Sequence, residues 1–191
     1  MTSTVFKNAQ LVNEGKVFVS DLKIKAGKIE EIAADISVEN TDTVIDASGC
    51  FLLPGMIDDQ VHFREPGLTH KGSIATESRA AVAGGITSYM EMPNVNPATT
   101  TVSALEAKFE IARNNSMANY SFYLGATEAN LDEIKKLDPN KHCGVKVFMG
   151  ASTGDLLVEH PQALDDIFQN APHLLLLIVK VAHLLLKTFQ K

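Results

Sequence analysis

The sequence predicts an α/β protein: a small N-terminal β-sandwich module followed by the first half, about four βα units, of a (β/α)8 barrel. Three observations carry this expectation. The first fifty residues read as short strands separated by turn signals. Beyond Pro54, strand-like and helix-like segments alternate, as right-handed crossovers in a parallel sheet require. The third is length: the chain has 191 residues, whereas a closed eight-stranded barrel takes roughly 250. The expected divisions are residues 1–53 for the β module, 54–172 for the partial barrel and 173–191 for a tail of different composition.

Each element follows from local pattern. Thr4–Val12 mixes apolar and polar residues and stops at Asn13-Glu14-Gly15, and Val17–Ile24 follows. Ala26-Gly27 signals a tight turn before Lys28–Ile32. Val44-Ile45 and Phe51-Leu52-Leu53 complete what reads as a small antiparallel module, closed by Pro54-Gly55. Met56–Phe63 is then a strand, and Ser73–Ala83 a helix stopped by Gly84-Gly85. Ile86–Met92 is a second strand ended by Pro93; Ser103–Asn114 carries apolar residues at helical spacing. Tyr120–Ala126, the short charged helix Leu131–Leu137, Gly144–Met149 and the helix Gln162–Asn170 complete the count of four units.

Composition narrows the function classes. Hydrophobic residues make up 45% and charged residues 21%, which fits a globular chain able to bury a core. A net charge of −6 argues against nucleic-acid binding, which calls for a basic face. The longest apolar run near the end, Leu174–Val179, is too short for a membrane span. Two cysteines and the lack of an apolar leader after Met1 lead to an expectation of a cytoplasmic protein. Charge is uneven: the last nineteen residues carry +3 and seven leucines, against −9 for residues 1–172.

The chemistry concentrates on the strand after Pro54. Strict alternation would direct Asp58, Gln60, His62 and Arg64 to one face and Ile57, Val61 and Phe63 to the other. An acid, an amide, an imidazole and a guanidinium on one face suit a site, and nitrogen and oxygen donors suit zinc. His62 taken singly reads equally as an ordinary strand-end residue. Lys146, between Val145 and Val147, points inward if those valines pack beneath helices. A buried amine has a lowered pKa and can add carbon dioxide to form a carbamate, an anion able to bridge two metal ions. Alone, Lys146 reads more simply as a snorkelling lysine. Other histidines attract less: His70 lies in a loop, and His142-Cys143 has no spaced second pair. Gly150–Gly154 lacks a phosphate-loop ending and reads as a βα turn. Glu77 and Glu91 read equally as supporting acids or as surface residues.

The stretch Leu53-Pro54-Gly55-Met56-Ile57-Asp58-Asp59-Gln60-Val61-His62-Phe63-Arg64-Glu65-Pro66-Gly67 resembles the first barrel strand of the dihydroorotases, in the amidohydrolase superfamily. Ala83-Gly84-Gly85-Ile86-Thr87, Met92-Pro93-Asn94-Val95-Asn96-Pro97 and the Lys146 strand extend the resemblance from Phe6 to about Pro172. It implies a metal-dependent TIM barrel that opens the ring of dihydroorotate reversibly to N-carbamoyl-aspartate, a step of pyrimidine synthesis. By the same resemblance, His62 matches a metal ligand and Lys146 the carboxylated bridging lysine. Asp58 matches the acid that opens the Asp-x-His-x-His pattern. Arg64 and Asn94 match the residues holding the substrate carboxylate, and the implied cofactor is one or two zinc ions. The resemblance also leaves room for a homo-oligomer of the full-length protein.

Two departures stand out. Gln60 replaces the pattern's first histidine and is a weaker zinc ligand. The family's later histidines and its catalytic aspartate have no counterpart, so no catalytic residue is assigned. His173 precedes its apolar run and His183 lies among apolar neighbours, so neither is expected to bind metal. The expectation is a truncated or frameshifted chain, changed near residue 172 and inactive alone. The alternatives are another cyclic amidohydrolase, of hydantoinase or allantoinase type, and a non-catalytic homologue.

Overall fold

The structure, a computed structural model, describes residues 2–150, 156–172 and 174–179. The chain divides into two compact units, Met1–Gly55 and Met56–Lys191. Among the described residues no helix is long and apolar enough to cross a membrane.

The first unit holds β1 (Ser3–Asn13), β2 (Lys16–Lys25), β3 (Lys28–Ala33), β4 (Thr43–Asp46) and β5 (Phe51–Leu52). Two-residue turns join the first three strands. Glu14-Gly15 and Ala26-Gly27 all have positive φ, from 49° to 73°, the geometry of hairpin turns that match strand twist. The sheet runs β3-β2-β1-β4, with β5 also beside β1. β4 and β5 lie parallel to β1, so the module is mixed where an antiparallel one was expected. The reason is the segment between β3 and β4, which crosses to the far side of β1, a path no tight hairpin takes. Buried carboxylates hold that crossing. Asp21 accepts from the backbone N–H groups of Asn8 (2.8 Å) and Ile36 (2.9 Å) and pairs with Lys7. Asp42 takes the Ser3 hydroxyl, the Glu39 N–H at 3.0 Å and Lys23 at 3.5 Å. The core of the unit is small: Ala9, Leu11, Leu22 and Ala47.

The second unit alternates strand and helix. Its elements are β6 (Met56–Val61), α1 (Ile74–Ala83), β7 (Ile86–Glu91), α2 (Val102–Asn115), β8 (Asn119–Gly125), α3 (Leu131–Ile134), β9 (Gly144–Met149), α4 (Pro161–Asn170) and β10 (Leu175–Val179). The strands form one parallel sheet in sequence order, a half-barrel. It has five strands, one more than the sequence predicts. The leucine run supplies the fifth, with Leu175 opposite Val145 and Leu177 opposite Val147. A continuous apolar run marks a foreign tail by composition, yet such runs are also usual in the strands of parallel sheets. His173, His183 and the rest of the tail from Lys180 lie outside the described residues, as do residues 151–154 of the expected glycine turn.

Helix ends follow their caps. Ser73 and Thr76 form a reciprocal capping box at α1, Thr101 caps α2, and Pro161 opens α4. The core lies between sheet and helices, where Tyr89, Phe122, Leu124, Val145 and Val147 meet Leu105, Ala112, Ile134 and Ile167. Phe109 meets Phe122 edge-on at 5.0 Å. The sheet's carboxyl ends are thereby fixed as a platform for the loops that follow β6, β7, β8 and β9.

Candidate active site

His62 and Arg64 lie just beyond the end of β6, and Asn94 lies in the loop after β7. The Met92 N–H donates to the Val61 carbonyl at 3.0 Å, which carries the pairing of the two strands into their loops. As a result His62 Nδ1 lies 3.0 Å from Asn94 Oδ1. Nε2 of the same ring has no partner among the described residues. Desolvation, then the charge of Arg64, lowers the His62 pKa and favours the neutral ring, the form that binds metals.

Arg64 has a left-handed backbone, φ +72°. Three bonds hold it there. Its N–H donates to Glu91 Oε1 at 3.0 Å, its carbonyl accepts from the Leu68 N–H at 3.1 Å, and Nη1 donates to the Asn94 carbonyl at 3.2 Å. The loops carrying Arg64 and Asn94 also touch backbone to backbone. The Asn96 N–H donates to the Pro66 carbonyl at 3.1 Å. Gly67, at φ +79°, packs so closely that a Cβ would lie 1.7 Å from the Asn96 carbonyl oxygen.

Beneath Arg64 lies a pair that the sequence reading undervalued. Glu91, read there equally as a supporting acid or a surface residue, is fully buried, and its Oε2 stands 2.9 Å from Lys108 Nζ. Lys108 also donates to the Met92 carbonyl at 3.2 Å and lies 4.9 Å from the Phe122 ring centre. Burial pushes the Glu91 carboxyl up, with the lysine opposing, and pushes the Lys108 ammonium down, with the carboxylate opposing. The missed signal is periodicity: Leu105, Lys108 and Ala112 share one stripe of α2, and all three are buried. A lysine inside an apolar stripe calls for a buried acid.

Lys146 is fully buried in the middle of β9, opposite Gly125 of β8. Its Nζ has no hydrogen-bond partner among the described residues and lies 5.3 Å from the Phe148 ring centre. Burial lowers its pKa toward the neutral amine. The charge of Lys146 also disfavours protonation of His62.

Asp58 and Gln60 differ from the expected row. Asp58 Oδ1 accepts from the Gln60 N–H at 3.0 Å. The strand register shifts between Asp58, opposite Tyr89, and Val61, opposite Glu91. Three residues of β6 thus span two of β7, and the alternation that would align Asp58 with His62 is broken there. Asp59, which the pattern passed over, instead acts on Tyr123, whose hydroxyl is pushed up to about 12 by burial, Cys143 and Asp59. No three His, Cys, Asp or Glu side chains converge on a metal position among the described residues. His142 is occupied elsewhere: Nε2 meets Glu106 at 3.2 Å and Nδ1 accepts from the Asp138 N–H at 3.0 Å.

A cleft of about 1030 Å³ opens beside these groups, lined by Arg64, Lys71, Asn94, Thr100, Thr127, Glu128 and Leu156 among others. It sits at the carboxyl ends of the strands, where barrel folds place their sites. A family model described as dihydro-orotase-like matches residues 49–153, more than half of the chain. The chain belongs to the dihydroorotase-like family. It is 38% identical over 157 residues to a dihydroorotase of Methanosarcina mazei, covering 80% of this chain and 34% of that protein. It is 36% identical over 152 residues to an allantoinase of Escherichia coli strain K12, covering 79% and 33%. The L-hydantoinase (dihydropyrimidinase) of Arthrobacter aurescens superposes with a TM-score of 0.85 at 30% identity, over 98% of this chain and 43% of that one. This dihydroorotase-like chain spans about a third of the length of the curated relatives it matches. The two expected units, a β module and a parallel half-barrel, are thus those of the cyclic amidohydrolases.

Proposed function

We propose that this chain carries the substrate-carboxylate clamp and part of the metal shell of a cyclic amidohydrolase acting on dihydroorotate. The reaction is the reversible hydrolysis of its ring amide to N-carbamoyl-aspartate, as in pyrimidine biosynthesis. The contact of His62 and Arg64 with Asn94, where Arg64 and Asn94 line the cleft, carries this reading. A guanidinium fork bonds a carboxylate bidentately, and the Asn94 amide beside it helps orient the ring. Dihydroorotate bears a carboxylate and hydantoin does not.

The donor set suits zinc in part. His62 offers a neutral imidazole, and Lys146 offers a buried amine that lacks a partner, the kind of orphan a bound group would satisfy. Asp58 and Gln60, expected to complete that shell, lie across the register shift from His62, so of the four only His62 and Lys146 are the residues that would hold the metal. Bound zinc supplies Lewis-acid activation of water and of the amide carbonyl. Arg64 and Asn94 orient the substrate.

The test is calorimetric titration of the chain with dihydroorotate, N-carbamoyl-aspartate and hydantoin, with and without zinc. Dihydroorotate is expected to bind more tightly than hydantoin. Arg64→Ala should weaken dihydroorotate about 10- to 100-fold, the worth of one or two charged hydrogen bonds, while leaving hydantoin unchanged. Tighter binding of hydantoin would favour the second reading, a hydantoinase- or allantoinase-type enzyme, which the similarity to both of those relatives supports.

A further inference from the structure

Glu91 at the end of β7 and Lys108 in the middle of α2 are 0% and 1% exposed and have no role in the reading above. Removing a carboxylate and an ammonium from water costs free energy that packed apolar side chains avoid. As a fastener of α2 to the sheet the pair is redundant, because Leu105 and Ala112 bury the same stripe. Its contacts lead to the cleft instead. Glu91 Oε1 accepts from the Arg64 N–H at 3.0 Å, and Oε2 stands 2.9 Å from Lys108 Nζ. Lys108 also donates to the Met92 carbonyl at 3.2 Å, two residues before Asn94. Arg64 itself sits at φ +72°, which a residue with a side chain resists.

We propose that the buried Glu91–Lys108 pair is a positioning device for Arg64, locking the left-handed turn that holds its guanidinium at the wall of the cleft. A carboxylate binds an N–H more strongly than a neutral amide oxygen does. Lys108 balances that charge and ties it to the β7 loop, so β7, α2 and the turn after β6 move as one body. A site held by rigid elements through a second set of contacts keeps its geometry. That Arg64 grips a ligand carboxylate rests on the function proposed above; the locking of its backbone does not.

Two variants test this in the full chain. Glu91→Asp keeps both charges but shortens the arm by one methylene. Glu91→Gln combined with Lys108→Met removes both charges together and leaves no lone ion in the core. Amide hydrogen exchange is followed residue by residue, alongside titrations with dihydroorotate and hydantoin. In both variants the Arg64 amide should exchange about tenfold faster and dihydroorotate should bind about tenfold more weakly. Protection at Tyr89 and Phe122, in the central strands, and binding of hydantoin should stay as they are. Unchanged exchange at Arg64 overturns the proposal, and so does an equal loss at Tyr89 and Phe122, which a merely structural pair would give. If the double variant does not fold, Glu91→Asp decides alone. Equal binding of both ligands by the unaltered chain would defeat the carboxylate reading, and the exchange comparison would still decide the positioning.

Discussion

Arg64 and Gly67 both take left-handed backbone three residues apart, for opposite reasons. Arg64 does so against its side chain, held by Glu91. Gly67 does so without a side chain to oppose it, and the Asn96 carbonyl leaves no room for a Cβ there. Gly67→Ala therefore carries two penalties, the conformational one of ~1–2 kcal/mol and a displacement of the Asn96 loop. Gly15 is the control, at φ +73° with nothing within 4 Å of where a Cβ would stand. Gly15→Ala should cost only the conformational part, and urea unfolding of the two variants measures the difference. Equal losses would mean that the Gly67–Asn96 approach does not constrain the site. At this scale the sequence pointed to His62, Arg64 and Asn94, and the fold brings those three into contact. It passed over Lys108, because a lysine declares its burial only when its neighbours are known.

Elements were the most legible level. Turn pairs, caps and apolar periodicity act over a few residues, so β1 to β9 and α1 to α4 fall within a few residues of where the pattern puts them. Two features escaped: the fifth strand of the half-barrel and the parallel placement of β4. The second depends on a crossing segment whose anchors, Asp21 and Asp42, are far from it or from their partners in sequence. The Ser3 hydroxyl first, then the Glu39 N–H and Lys23, hold the Asp42 carboxyl below its ordinary 3.8. A depressed carboxylate contributes stability that is present above the ordinary value and is lost as the pH falls through the lowered one. The N-terminal sheet should thus weaken as pH is taken from about 5 toward about 2. Asp42→Asn should start less stable at about pH 6 and show a flatter acid dependence, read by circular dichroism during urea unfolding. An acid profile unchanged by Asp42→Asn would show that this carboxylate does not hold the crossing.

For the molecule as a whole, two separate cores and an uneven surface decide behaviour. The N-terminal sheet exposes Val17 at 60%, Val19 at 68%, Ile29 at 63% and Phe51 at 62%. Apolar surface of this extent drives self-association. Val19→Lys should raise solubility in ammonium sulfate while changing unfolding stability by less than about 0.5 kcal/mol, as exposed positions do. Light scattering checks the first part and urea unfolding the second. A variant that associates as before would place the adhesive surface elsewhere. The alternation of strand and helix, the turn chemistry and the strand-end run from Asp58 to Arg64 are local, and the sequence by itself determined them. The tertiary structure alone decided that a leucine run becomes the fifth strand, that β6 slips register between Asp58 and Val61, and that Glu91 meets both Arg64 and Lys108. These depend on pairing and burial between residues far apart in the chain, where the free energy of a contact exists only once the sheet has closed around it.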